Sequence, residues 1–90
     1  MNEYSFRINP DSGEIHIFID GEEWSLCNKV NEEETQLLSV NRKTGKGKSR
    51  PLRRLESLSL DAARGMAASI AAVRLNICGV CLSSLYRTER

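Results

Sequence analysis

The first thirty residues constrain the fold most, because their apolar residues alternate. Tyr4, Phe6 and Ile8 lead into the turn sequence NPDSG, and Ile15, Ile17 and Ile19 follow it. A side-chain period of two marks a half-buried strand, since successive residues point to opposite faces. Pro10 suits the first corner of the turn, and Gly13 suits a positive φ. Asp20-Gly21 is a strong two-residue hairpin signal, after which Trp24 and Leu26 carry the alternation onto a third strand. Both hairpins keep the parity. Tyr4, Phe6, Ile8, Ile15, Ile17, Ile19, Trp24 and Leu26 therefore share one face of a three-stranded meander. Trp24 is expected to be buried there, beside Phe6 and Ile17. The other face holds Ser5, Arg7, His16, Phe18, Ser25, Cys27 and Lys29.

A sheet with one apolar face needs a cover, and residues 58–73 supply it. Ser59 is a good helix N-cap, Asp61 sits in the first turn, and Leu58 can staple onto Ala63. The stretch DAARGMAASIAAV then places Ala63, Met66, Ala67, Ile70 and Val73 on one helical face, over roughly 60–75. Residues 31–41, NEEETQLLSVN, read two ways. Asn31 before three glutamates is a helix N-terminus signal, whereas Leu37, Leu38 and Val40 suit a strand. A strand is favoured, because RKTGKGKS is turn-rich and PLRRL can return as its partner. The expected fold is α+β: a single domain over residues 1–90 with a small antiparallel sheet, made of the three-stranded meander plus a basic hairpin. A C-terminal helix covers one face.

Ninety residues bury only about two thirds of their unfolded surface, so the stability margin is thin. The start, MNEYSFR, is polar with no apolar run behind it, unlike a signal peptide. The apolar stretch 66–82 is broken by Arg74 and Asn76 and is too short to span a bilayer. Three cysteines, an odd number, argue against a secreted disulfide scaffold. The expected location is the cytoplasm, with reduced thiols and no membrane association.

Two of those cysteines, Cys78 and Cys81, stand in LNICGVCLSS. The helix can continue through this segment, although Gly79 would cost it about 1 kcal/mol. Alternatively VRLNI is a short strand followed by a helical turn with Leu82, Leu85 and Tyr86, or the segment is a knuckle around a metal. A thioredoxin-like dithiol belongs early in a larger α/β fold, and too little chain follows Cys81 for that. For zinc, Cys-x-x-Cys offers half a tetrahedral site, and His16 with Cys27 on one sheet face are the other strong donors. Yet that face points away from the predicted helix, so joining the four requires the C-terminus to wrap around the sheet edge. Free cysteine also behaves as a small hydrophobe, and Ile77, Val80 and Leu82 flank the pair. The expectation is therefore that these cysteines pack as apolar residues and hold no metal or other cofactor. No catalytic constellation is recognisable, and KTGKGKS lacks the Gly-x-x-x-x-Gly-Lys-[Ser/Thr] spacing of a nucleotide loop. The chain reads as a non-enzyme without a small-molecule substrate.

Charge is the remaining signal. The net charge is +1, but residues 1–41 carry nine acids against two bases, and residues 42–54 carry seven bases and no acid. Such segregation marks a polyanion-binding or partner-binding face, although a run of charge also serves simply to keep a hairpin tip solvated. Arg42, Lys43, Lys46, Lys48, Arg50, Arg53 and Arg54 are the candidate phosphate contacts. No aromatic residue interleaves with them, so single-strand stacking is not suggested.

The run VNRKTGKGKSRPLRRLESLSLDAARGMA, residues 40–67, resembles the arm-type DNA-binding domain at the N-terminus of phage-type tyrosine-recombinase integrases. The matching positions are Leu58, Ser59, Leu60, Ala63, Arg64 and Ala67, at the start of the helix that follows the basic hairpin in that family. The usual glycine before this helix is absent, the meander is acidic, and residues 68–90 are too few to hold a recombinase domain. The resemblance implies a small DNA-binding accessory protein that contacts the backbone of double-stranded DNA. The alternative is a compact protein-binding inhibitor or adaptor, of phage or mobile-element type, acting on a larger protein partner.

Overall fold

A computed structural model describes residues 2–40 and 53–88 of the chain. Strands β1 (Tyr4–Ile8) and β2 (Ile15–Ile19) pair antiparallel, with Tyr4 opposite Ile19, Phe6 opposite Ile17 and Ile8 opposite Ile15. The NPDSG turn closes through a 2.7 Å bond from the Gly13 amide to the Asn9 carbonyl. Gly13 takes φ +73°, a conformation with little steric penalty only for a residue lacking Cβ.

The third strand of the sheet is β3 (Gln36–Leu37), which joins the opposite edge of β1 to give the order β2-β1-β3. The stretch expected to be third, around Trp24 and Leu26, makes only isolated bridges. The Asp20-Gly21 turn does form, with the Glu22 amide bonded to the Ile19 carbonyl at 2.9 Å. However, the chain returns with Phe18 opposite Ser25, whereas a tight hairpin would pair Phe18 with Glu23. Glu23 and Trp24 are left in a widened turn, and Trp24 pairs with Asn31. Trp24 is consequently 47% exposed, contrary to its expected burial, while Leu26 keeps its place against the core.

Both readings of residues 31–41 hold in succession. Asn31 caps a single 3₁₀ turn, Glu32–Glu34, in a reciprocal capping box with Glu34. The chain then extends through β3 into β4 (Ser39–Val40). Strand β4 pairs antiparallel with β5 (Arg53–Arg54), Ser39 opposite Arg54 and Val40 opposite Arg53, as a returning PLRRL segment requires.

Helix α1 (Leu60–Ala72) starts where the sequence places it. The Ser59 hydroxyl accepts from the Ala62 amide at 3.2 Å, and Ala63, Ala67 and Ile70 are buried with Phe6, Ile17, Leu55 and Leu58. Val73 is exposed, because the helix ends there and Arg74 turns left-handed at φ +59°. The chain then runs extended along the outer edge of β2, with Ile77 bridged to Ile15. Helix α2 (Gly79–Arg87) follows and buries Cys81 and Leu85. The short extended piece and following helix are one of the three arrangements open to LNICGVCLSS. Among the described residues, no helix is long and apolar enough to cross a membrane.

Candidate metal centre and basic hairpin

The backbone at the outer edge of β2 converges four donor side chains. His16 lies mid-strand on β2. On one side the Leu26 amide donates to the Ile17 carbonyl at 2.8 Å, which brings Cys27 alongside. On the other, the Ile15 amide donates to Asn76 (2.7 Å) and its carbonyl accepts from the Cys78 amide (2.8 Å). Cys78 is the N-cap of α2, and Cys81 follows within its first turn. The donor atoms of His16, Cys27, Cys78 and Cys81 all lie within 4.8 Å of one another.

The wrap of the C-terminus around the sheet edge, which the sequence left as the obstacle to joining these residues, is therefore what the chain does. Cys78 and Cys81 are buried, as apolar packing requires. Their thiols nevertheless meet His16 and Cys27 rather than only neighbouring hydrocarbons.

The polar contacts inside the cluster are few and sulfur-centred. His16 Nδ1 lies 3.7 Å from Cys27 Sγ and also 3.7 Å from Cys81 Sγ. Its Nε2 lies 2.9 Å from Glu14 Oε1, which orients the ring. Cys27 Sγ contacts Ser25 Oγ at 3.0 Å. Burial acts to raise the Cys27 thiol, but hydrogen bonds from Ser25, the Lys29 backbone, Cys81 and Cys78 outweigh it, and its pKa lies below the usual value. The Cys81 thiol is pushed up to about 12, first by burial and then by the neighbouring Cys78 and Cys27, against lowering backbone bonds from Ile17 and Cys27. Three thiols this close cannot all ionise without a cation among them. Glu14 and Ser25 were missed as supporting residues. Glu14 stands two positions before His16, a spacing that puts both on one side of an extended chain.

His16 has no nitrogen left for an external substrate, since one faces the sulfurs and the other Glu14. A general base needs a free lone pair within reach of a reacting proton. The geometry suits ligation rather than catalysis.

Of the seven candidate phosphate contacts, Arg42, Lys43, Lys46, Lys48 and Arg50 lie outside the described residues. Arg53 and Arg54 are exposed on β5, and Arg54 Nη1 stands 4.0 Å from Glu56. Arg64, the arginine of the helix-start motif, is turned inward. Its Nε donates to the Leu85 carbonyl (3.4 Å), and its Nη2 donates to the carbonyls of Tyr86 (3.3 Å) and Thr88. Tyr86 returns a bond from its hydroxyl to the Arg64 carbonyl at 3.3 Å. Arg64 thus ties the end of α2 to α1. No family model, curated protein or solved structure matches the chain.

Proposed function

We propose that this chain is a small, non-enzymatic DNA-binding accessory module of the cytoplasm that grips the phosphate backbone of duplex DNA through the β4–β5 hairpin. The observation that carries the reading is the antiparallel register of β4 and β5. It exposes Arg53 and Arg54 and brings together the two ends of a segment rich in cations and free of acids. Cations clustered in one segment release counterions when they meet a polyanion, which drives binding with little base preference. Residues 42–54 contain seven bases and no acid, so the neutral total does not prevent a local attraction. The resemblance to integrase arm domains, which spans the hairpin and the start of α1, supports the same partner.

The test is fluorescence anisotropy with labelled duplexes of unrelated sequence across a salt series. Each phosphate neutralised contributes about 0.9 to the slope of log affinity against log salt. Arg53→Ala with Arg54→Ala should flatten the slope by about 1–2 units with the fold intact. Glu22→Ala, which removes an acid elsewhere, should leave affinity unchanged or slightly raised. No retention at micromolar protein and about 0.15 M salt, where non-specific binders already register, would refute the reading.

A second reading has one observation behind it. Val73, Leu75 and Val80, on and around the α1–α2 turn, are each about half exposed or more, and large exposed apolar residues mark protein interfaces when they are contiguous. Protein capture that survives high salt would favour an adaptor or inhibitor over a DNA-binding module.

A further inference from the structure

We infer that His16, Cys27, Cys78 and Cys81 bind one zinc ion in a closed tetrahedral site, and that this ion fastens α2 to the edge of β2. The inference does not depend on DNA binding.

The spacing of the donors carries it. Zinc bonds thiolate at about 2.3 Å and imidazole at about 2.0–2.1 Å, so tetrahedral geometry sets a sulfur–nitrogen edge of about 3.6 Å and a sulfur–sulfur edge of about 3.8 Å. Both distances from His16 Nδ1, to Cys27 Sγ and to Cys81 Sγ, are 3.7 Å. As hydrogen bonds they make poor sense, because one ring nitrogen has a single proton or lone pair to share between two sulfurs. As two edges of a coordination tetrahedron they need almost no adjustment. The longest separation permitted within the cluster, 4.8 Å, leaves about 1 Å to close around the ion.

The surroundings fit as well. Glu14 faces His16 Nε2 at 2.9 Å, the carboxylate–imidazole arrangement that fixes which nitrogen carries the proton and leaves Nδ1 free to ligate. Cys78 and Cys81 sit at the start of the nine-residue α2, where the positive end of the helix dipole favours thiolates. The Cys78 side chain makes no capping bond and meets Cys27 instead, inside the cluster.

The donor set selects the metal. Three thiolates and one imidazole suit zinc, whereas magnesium and calcium take oxygen. Donors this close enclose one ion rather than an iron–sulfur cluster, which is ordinarily held by four cysteines or, in Rieske centres, by two cysteines and two histidines. Four protein ligands complete the tetrahedron and leave no open position for a substrate or an activated water, so the site is structural. It joins β2, the loop after it and α2 across 65 residues of chain. Binding requires three thiols to lose protons, which the zinc charge repays and which makes affinity fall as pH falls.

The experiment uses the untagged full chain, stripped with chelator under reducing conditions and titrated with Co(II), then Zn(II). The expected result is saturation at one equivalent of Co(II), with the strong visible absorption of a tetrahedral ion and a thiolate charge-transfer band, displaced by one equivalent of zinc. Cys27 is only partly buried, so Cys27→Ala should remain soluble while losing at least tenfold in metal affinity. Glu14→Ala should weaken binding about 10-fold while retaining the thiolate band. Backbone NMR of the stripped chain keeps the inference testable if variants fold poorly: amides of 76–88 should shift or broaden on metal removal and return with one equivalent of zinc. Absence of a thiolate band, saturation only at millimolar metal, or an unchanged spectrum for 76–88 would overturn the inference.

Discussion

Arg64→Ala should uncouple α2 from α1 at a cost that can be worked from three bonds. The guanidinium donates to the carbonyls of Leu85, Tyr86 and Thr88, in the last turn of α2 and its cap, where carbonyls run short of helical partners; that of Leu85 also accepts from the Thr88 amide, at 3.3 Å. Hydrogen bonds to a charged group contribute about 1.5–3 kcal/mol each when short and buried. Those to Leu85 and Tyr86, at 3.4 and 3.3 Å, are long and Arg64 is only partly buried, so the set together is worth about 1.5–2 kcal/mol. A cation at a helix C-terminus adds about 0.3–1 kcal/mol. The sum, about 2–3 kcal/mol, should lower the melting temperature of a domain this size by about 10–20 °C. Arg64→Lys keeps the charge without the fork and should recover less than about 1 kcal/mol of that loss. Urea and thermal unfolding, both at one fixed zinc concentration, give the two values. Arg64→Ala within about 0.5 kcal/mol of the parent, or Arg64→Lys equal to it, would refute the role assigned to the fork.

Phe6→Ala should cost about 3–5 kcal/mol, because Phe6 is fully buried between the sheet and α1, whereas Trp24→Ala should cost far less; equal melting temperatures for the two would contradict the widened turn. Leu85→Ala, at a site with no exposed surface, should cost about 2–5 kcal/mol, with loss of protection in α2 on hydrogen exchange as the diagnostic reading. The metal-free chain should lose stability as pH rises from about 9 towards 12. The Cys81 pKa is raised in the fold to about 12, so the thiol's contribution is complete below the unfolded value and disappears as pH climbs through the folded one. A flat urea midpoint across that window would count against the burial of Cys81 beside two other thiols. Zinc-loaded protein should behave oppositely at the acid end, releasing metal as the pH is lowered.

Local signals were legible wherever one segment decided its own structure. The alternation of Tyr4 to Ile19 and the Ser59 cap act within a few residues, and each appears where the sequence puts it; the Asn31 helix-start signal, set against the favoured strand, yields a single 3₁₀ turn before the chain extends. Trp24 failed although parity held: two extra residues in the turn leave the faces unchanged but slide Trp24 out of register with Ile17 towards the turn, and the length of a turn is invisible in the alternation. The four residues of the His16 cluster were individually visible, and His16 with Cys27 were placed on one face. What could not be seen was that residues 76–78 would bond to the free edge of β2 and carry Cys78 and Cys81 to that face. An unpaired edge accepts any extended segment, and no residue type in LNI announces that partner. Arg64 was visible only as part of a helix-start motif, because its partners are backbone carbonyls more than twenty residues away.

The most direct measurement is X-ray absorption at the zinc edge of protein purified without a histidine tag. The account predicts one zinc per chain with about three sulfurs near 2.3 Å and one nitrogen near 2.0–2.1 Å. The sulfur count should fall by one in Cys27→Ala if an ion is retained there at all. A shell of oxygen and nitrogen alone, or zinc well below one per chain in freshly reduced protein, would contradict it.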